Sequence, residues 1–241
     1  MKYRNSVEFE VWGDFALFSD PVTRVGGEKF TYQIPTYEAL KGIMQSIYWK
    51  PSLIWIIDEV RIMNPIQTVT KGIRPIKYFN DKNDLSYYTY LCDCRYQVRA
   101  HFIWNENRPE LMADWNENKH YYIAKRMIEK GGRRDIFLGT RECQGYAGPC
   151  TFGEGEGAYD HISELGFGMM YHGITYADEA YSEETRGKMS VRLWQPVMRN
   201  GVISFIPPWN CIHRTVREMN MKKFEPDLNN FSQITEEEVM E

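Results

Sequence analysis

Residues 36–63, TYEALKGIMQSIYWKPSLIWIIDEVRIM, carry the pattern that decides the fold. Leu40, Ile43, Met44 and Ile47 recur at helical spacing, Pro35 stands just before the first turn, and Pro51 ends the run. Residues 53–63 then turn rich in Ile, Val and Trp, which favour a pleated, buried strand. A helix feeding directly into a strand is half of an α+β unit, and the other half lies on either side.

Upstream, Val7, Phe9 and Val11 alternate with Glu8 and Glu10, as in a strand with one buried face. A loop rich in Asp, Pro and Gly follows over residues 19–29. Downstream, residues 64–77 read as an extended hairpin or long loop. Residues 87–104 hold a third strand, clearest at Tyr96, Val98, Ala100 and Phe102. Asn116 or Asn118 can cap a second helix that runs to about Lys130 and stops at Gly131-Gly132. Residues 133–146 provide the return strand. The order is β-α-β-β-α-β, the ferredoxin-like (RRM-like) arrangement, which predicts an α+β fold with residues 1–147 as its first domain. After residue 147 the texture changes. Gly153, Gly155 and Gly157 alternate with Glu154 and Glu156, which lacks the Gly-Lys-Ser/Thr ending of a phosphate loop and reads as a linker or tight turn. Strand patterns at 166–176 and 189–206, with an Asn200-Gly201 hairpin turn, predict a small antiparallel β-sheet domain over 148–241 that ends in an acidic tail.

The bulk figures exclude several classes. With 241 residues the chain can bury a sizeable core. Five cysteines, an odd number at spacings matching no common zinc pattern, read as reduced thiols of a cytoplasmic protein. No apolar run approaches the length of a membrane span, so no membrane partner is expected. The net charge of −4 rules out a global basic field. A local one exists: between Lys119 and Arg141 seven basic residues face two acidic ones, a segment charge of +5. That asymmetry points to a polyanion.

Within that segment Lys119 and His120 open the second helix. Histidine trades protons near neutral pH and lysine holds a developing negative charge, a pairing suited to a phosphodiester. At about 100° per residue, Lys119, Arg126 and Lys130 share one stripe, whereas His120 shares its stripe with Ala124 and Met127. His120 therefore also fits as a satisfied histidine at the core edge, and the lysine stripe as a solvated face. Tyr48 reads locally as an aromatic that closes the first helix.

Residues 11–50, VWGDFALFSDPVTRVGGEKFTYQIPTYEALKGIMQSIYWK, together with IIDEVRIMNPI (56–66), ENKHYYIAKRM and FLGTRECQGY, resemble the CRISPR-associated repeat-processing endoribonucleases of subtype I-C, the Dvulg subtype. The resemblance implies a ferredoxin-like N-terminal domain, a small β-sheet C-terminal domain, and cleavage of precursor CRISPR RNA on the 3′ side of the repeat hairpin without a metal ion or other cofactor. It further implies retention of the 5′ handle of the mature crRNA and assembly with the backbone and large subunits of the type I-C interference complex. The family's catalytic tyrosine and Lys-His pair fall here on Tyr48, Lys119 and His120. Such chemistry uses the substrate's own 2′-OH as nucleophile and leaves a 2′,3′-cyclic phosphate and a 5′-OH. His120 then serves as base, Lys119 as the stabilising cation, and Tyr48 as positioning group or acid. Candidates for gripping RNA are Arg24, Lys29, Lys71, Arg74, Lys77, Arg126, Lys130, Arg133 and Arg141. Two rivals stand beside this reading. One is a non-catalytic subunit that only binds the crRNA 5′ handle. The other is a metal-dependent nuclease built on Asp58-Glu59, Asp178-Glu179 or Glu183-Glu184.

Overall fold

A computed structural model describes residues 4–21, 23, 28–77, 79 and 82–220. Arg24 and the acidic end over 234–241 lie outside the described residues. The chain runs through β1 (Val7–Ala16), β2 (Lys29–Phe30), α1 (Tyr37–Ile47), β3 (Leu53–Ile62), β4 (Gln67–Ile73), β5 (Ser86–Trp104), α2 (Glu117–Glu129), β6 (Ile136–Phe137) and β7 (Gln144–Pro149). Short strands follow: β8 (Leu165–Gly166), β9 (Met170–Thr175), β10 (Lys188–Trp194), β11 (Val197–Arg199), β12 (Val202–Ser204) and β13 (Ile212–Glu218). The fold is α+β, with sheets that are antiparallel apart from one short parallel pairing. Among the described residues, no helix is long and apolar enough to cross a membrane.

β5 is the spine. Its C-terminal half is flanked by β1, paired from Leu91 to Ala100, and by β3, paired from Tyr96 to Trp104. Its N-terminal half outruns β3, and β4 takes the vacated edge from Ser86 to Cys92. β2 adds a parallel pairing at Tyr88 and Thr89. Of the two readings of 64–77, extended hairpin or long loop, the structure shows the hairpin, with Gln67–Ile73 paired antiparallel to β5. An unpaired stretch of β5 offers backbone donors and acceptors that only a neighbouring strand satisfies. The change of partner is marked by Asp93, whose φ of 51° lies in the left-handed region that Asp tolerates.

Both helices add to one core with the sheet. Leu40, Met44 and Ile47 of α1 and Ala124 and Ile128 of α2 are buried together with Phe9, Val11, Trp55, Val98 and Phe102. Of the two expected cap candidates for α2, Asn116 serves, accepting from Lys119 N–H, and Gly131 and Gly132 take positive φ after the helix; α1 is capped by Thr36, which accepts from Ala39 N–H. The return strand starts later than the sequence suggests. Arg133 and Arg134 first spend their N–H groups on the Ser46 carbonyl at the end of α1. The chain pairs with β1 only at β7, from Tyr146 to Pro149.

The glycine-rich stretch is not a loose linker. The Glu154 carbonyl accepts from Arg61 and from Gln97 (2.8 Å), the Gly155 carbonyl accepts from Arg61 (2.8 Å), and Gly153 N–H donates to Gln97. The Phe152 ring lies 4.3 Å from the Arg99 guanidinium. This segment therefore seats on the sheet face opposite the helices. Beyond it, β12 pairs with β3, and β11 and β8 follow, extending the main sheet. Asn200 and Gly201 both take positive φ, as a type I′ hairpin demands. β13, β10 and β9 form a second sheet.

Buried charges tie that second sheet to α1. Arg192, fully buried, donates to Glu38 (2.8 Å), Thr175 (2.8 Å) and His172 (3.2 Å), and buried Lys41 pairs with Glu179. Removing one partner of a buried ion pair leaves a charge with no solvation. Glu38→Ala should therefore cost on the order of 3 kcal/mol in a urea denaturation series. Glu183→Ala, which breaks an exposed pair with Arg186, should change stability by less than about 1 kcal/mol.

Candidate active site

Tyr48 sits at the C-terminal cap of α1 with its backbone pinned at both ends. Its N–H donates to the Met44 carbonyl (2.8 Å) and its own carbonyl accepts from Trp55 Nε1 (2.8 Å). This fixes the ring against the first turn of α2. There His120 points inward, 0% exposed, with its ring among those of Phe102 and Trp104. Lys119, one residue earlier, points outward with 48% of its side chain exposed. The structure thus brings Tyr48, Lys119 and His120 to one place and gives each a different degree of access.

The hydrogen bonds assign the protons. His120 Nε2 lies 2.8 Å from the Asp114 carbonyl oxygen, which can only accept, so Nε2 carries hydrogen. In the neutral ring Nδ1 is then an acceptor, and the Tyr48 hydroxyl at 2.7 Å donates to it. Burial, together with the nearby Asp114 carboxylate, pushes the Tyr48 hydroxyl up to about 12, against a smaller opposing effect of Arg133. At neutral pH it remains a phenol aimed at an imidazole.

Asp114 is the residue that sequence reading missed. It ends the short helical turn Pro109–Asp114, and it gathers the cluster. Its carboxylate accepts from Lys119 Nζ (2.5 Å) and Ser52 Oγ (2.7 Å) and lies 3.4 Å from His120 Nε2. These contacts, Lys119 first, hold its carboxyl below the usual range. Nothing local in the sequence marks Asp114 or Ser52, because they converge from separate connections. Trp115, the next residue, stacks on Trp104 with ring centroids 5.6 Å apart and closes the aromatic wall behind His120.

The basic candidates fall into two groups on separate elements. Lys29 lies 4.7 Å from the Tyr88 ring, and Lys71 lies 3.2 Å from that of Phe15, both beside the N-terminal half of β5. Arg74 is exposed nearby, and Lys77 pairs with Asp84 at 3.5 Å. Arg126 and Lys130 at the end of α2, with Arg133 and Arg141 beyond it, form the second group and are exposed. The acidic pairs considered for a metal are mostly engaged elsewhere. Asp58 bonds His101, Glu59 pairs with Arg99, Glu179 with Lys41 and Glu183 with Arg186. Among the described residues no group of three or more His, Cys, Asp or Glu side chains is arranged to hold a metal ion.

A carboxyl lowered by its native partners stabilises the fold above its unfolded value, near 3.9, and loses that contribution as pH falls through the native value. Wild type should therefore exceed Asp114→Asn in thermal stability at pH 7. The difference should shrink below about pH 4, as read from melting curves across pH.

Comparison with known proteins identifies the family. A family model described as CRISPR-associated protein (Cas_Cas5) matches residues 6–206. The chain is 27% identical over 149 residues to a protein of Mannheimia succiniciproducens named CRISPR pre-crRNA endoribonuclease Cas5d, covering 53% of this chain and 64% of that one. It is 26% identical over 153 residues to a protein of the same name from Thermus thermophilus, covering 59% and 63%. The matches thus span less than two thirds of those relatives' length. Among solved structures, one described as a CRISPR-associated protein superposes with a TM-score of 0.73 at 34% identity, covering 87% of this chain and 96% of that one. A functionally uncharacterized Streptococcus mutans protein gives 0.71 at 37%, covering 87% and 97%. The family model spans most of the sequence and the main sheet with both helices, and on that ground the chain belongs to the Cas5d family of CRISPR-associated proteins.

Proposed function

We propose that this chain is a metal-independent endoribonuclease that cuts precursor CRISPR RNA within the repeat. It then keeps the 5′ handle as a subunit of a type I-C effector complex, bound to the backbone and large subunits in the cytoplasm. The strand order β7-β1-β5-β3, with both helices on one face, supports reading residues 1–147 as a ferredoxin-like catalytic unit and 148–241 as a smaller β-rich partner to it. The names of the two curated relatives support the activity.

The single observation that carries the reading is the hydrogen-bonded line from the Asp114 carbonyl through His120 to the Tyr48 hydroxyl. Tyr48 is too weak an acid to serve alone as a phenolate base at neutral pH. It can relay instead. The 2′-OH gives its proton to the Tyr48 oxygen as Tyr48 passes its own proton to His120 Nδ1. The 2′ oxygen then bonds to phosphorus, the bond from phosphorus to the 5′ oxygen breaks, and that oxygen takes a proton from solvent. The imidazolium formed is stabilised by the Asp114 carboxylate, and Lys119 meets the charge on the phosphoryl oxygens. His120 remains the base, as the sequence suggests, but reaches substrate through Tyr48. Tyr48 is only 3% exposed, so RNA reaches its hydroxyl only after the side chains around it shift.

One observation favours a second reading. His120 is fully buried with both ring nitrogens satisfied, as in a purely structural histidine. The chain would then bind the crRNA 5′ handle without cutting. Incubation of purified protein with repeat RNA in EDTA decides between them. The catalytic reading expects products ending in a 2′,3′-cyclic phosphate and a 5′-OH, and no cutting when the nucleotide upstream of the scissile phosphate is 2′-deoxy. Tyr48→Phe keeps the ring and removes the relay, so it should slow cutting by about 10²–10⁴-fold with RNA affinity retained. RNA bound but uncut by wild type would establish the binding role, and cutting abolished by EDTA would revive a metal-dependent mechanism.

A further inference from the structure

A cavity of about 320 Å³ opens on the flank of α2 away from His120, between that helix, the start of β1 and the end of β7. One wall is the Tyr121 ring, the floor is Val7, Ile128 and Pro149, and the rim carries Lys125 and Glu129. Tyr121, Lys125 and Glu129 are spaced by four residues and so form a single row along the helix. Lys125 Nζ stands 5.8 Å from the Tyr121 ring centroid, and among the described residues neither Lys125 nor Glu129 has an ion-pair partner, although both are exposed.

The charge balance selects the ligand. Glu8, at the inner end, is already held by Arg99 and by the Phe152 N–H. Cys150 is a neutral thiol, because burial beside Glu10 and Glu8 pushes it up to about 12. What remains is one cation, one anion, an aromatic wall and an apolar floor. A phosphate would meet the Glu129 carboxylate, whereas a flat neutral heterocycle meets no uncompensated charge. The basic stripe of Lys119, Arg126 and Lys130 lies roughly 100° around the helix from this row, so a backbone on that stripe can turn a base into the cavity. A carboxylate beside an ammonium matches an edge with two neighbouring donors next to an acceptor. Guanine has that edge in N1–H, the 2-amino group and O6. Cytosine and adenine each offer one exocyclic amine, and uracil a single donor.

We propose that this cavity takes an unpaired guanine of the bound RNA. Tyr121 stacks on the base, Glu129 accepts from N1–H and the 2-amino group, and Lys125 donates to O6. The inference rests on the reading of the chain as an RNA-binding protein and supplies base recognition, which the catalytic cluster lacks.

Fluorescence anisotropy with the full chain tests it, using three single-stranded probes: oligouridine, the same strand with one internal guanosine, and the same strand with inosine there instead. The guanosine strand should bind about tenfold more tightly than oligouridine, and inosine, which lacks the 2-amino group, should lose most of that gain. Glu129→Gln, a change at an exposed position, should erase the guanosine preference while leaving oligouridine affinity unchanged. Equal affinity of the wild type for all three strands, or a preference that survives in Glu129→Gln, would overturn the proposal while leaving RNA binding intact. Failure to bind any strand, repeat RNA included, would sink the RNA-binding reading itself.

Discussion

Everything in this fold hangs from the length of β5. A strand of nineteen residues exposes more backbone donors and acceptors than any one neighbour can satisfy. The chain answers with four partners, two on each edge. β1 and β3 cover one half, where the helices pack, and β4 and β2 cover the other. Because Phe102 and Trp104 stand near its C-terminal end, the same strand sets the wall against which His120 is buried. The candidate cluster is thereby backed by the sheet, while Asp114 and Ser52 reach it from separate connections.

The cluster itself is an exercise in shared partners. Asp114 offers its backbone carbonyl to His120 and its carboxylate to Lys119 and Ser52, so one residue sets a tautomer, parks a cation and anchors the connection after α1. The buried clamps of Arg192 with Glu38 and Lys41 with Glu179 do for α1 what Asp114 does for α2. Arg192 is fully buried where Glu38, Thr175 and His172 all meet its guanidinium, the condition under which such burial is tolerated.

Local chemistry was legible in the sequence where the determinants are local. Both helices, the Asn116 cap, the Gly131-Gly132 stop and the Asn200-Gly201 turn follow from residues within one turn of the feature. Helical angles also separated an outward Lys119 from an inward His120. What escaped depends on partners far along the chain. The choice between hairpin and loop at 64–77 turns on β5 outrunning β3, and the glycine-rich stretch is seated because Arg61 and Gln97, on other strands, donate to its carbonyls. Tyr48 entered only through family resemblance, since a tyrosine that closes a helix looks the same whether or not a histidine waits across the gap. Asp114 and Ser52 had no local signal, and neither did the cavity beside Tyr121.

The seating of residues 150–160 has a further consequence. Helices cover one side of the main sheet, and this segment seats on the other around Arg61, Gln97 and Arg99. The described basic candidates for gripping RNA sit at two separate stations: the outer half of β5 with β2 and β4, and the end of α2 with the chain beyond it. At about 3.3 Å per residue, Tyr88 and Phe102 stand roughly 45 Å apart along a common rigid spine. A ligand long enough to touch both stations would have to cover that interval, so the strand sets a length as well as a surface.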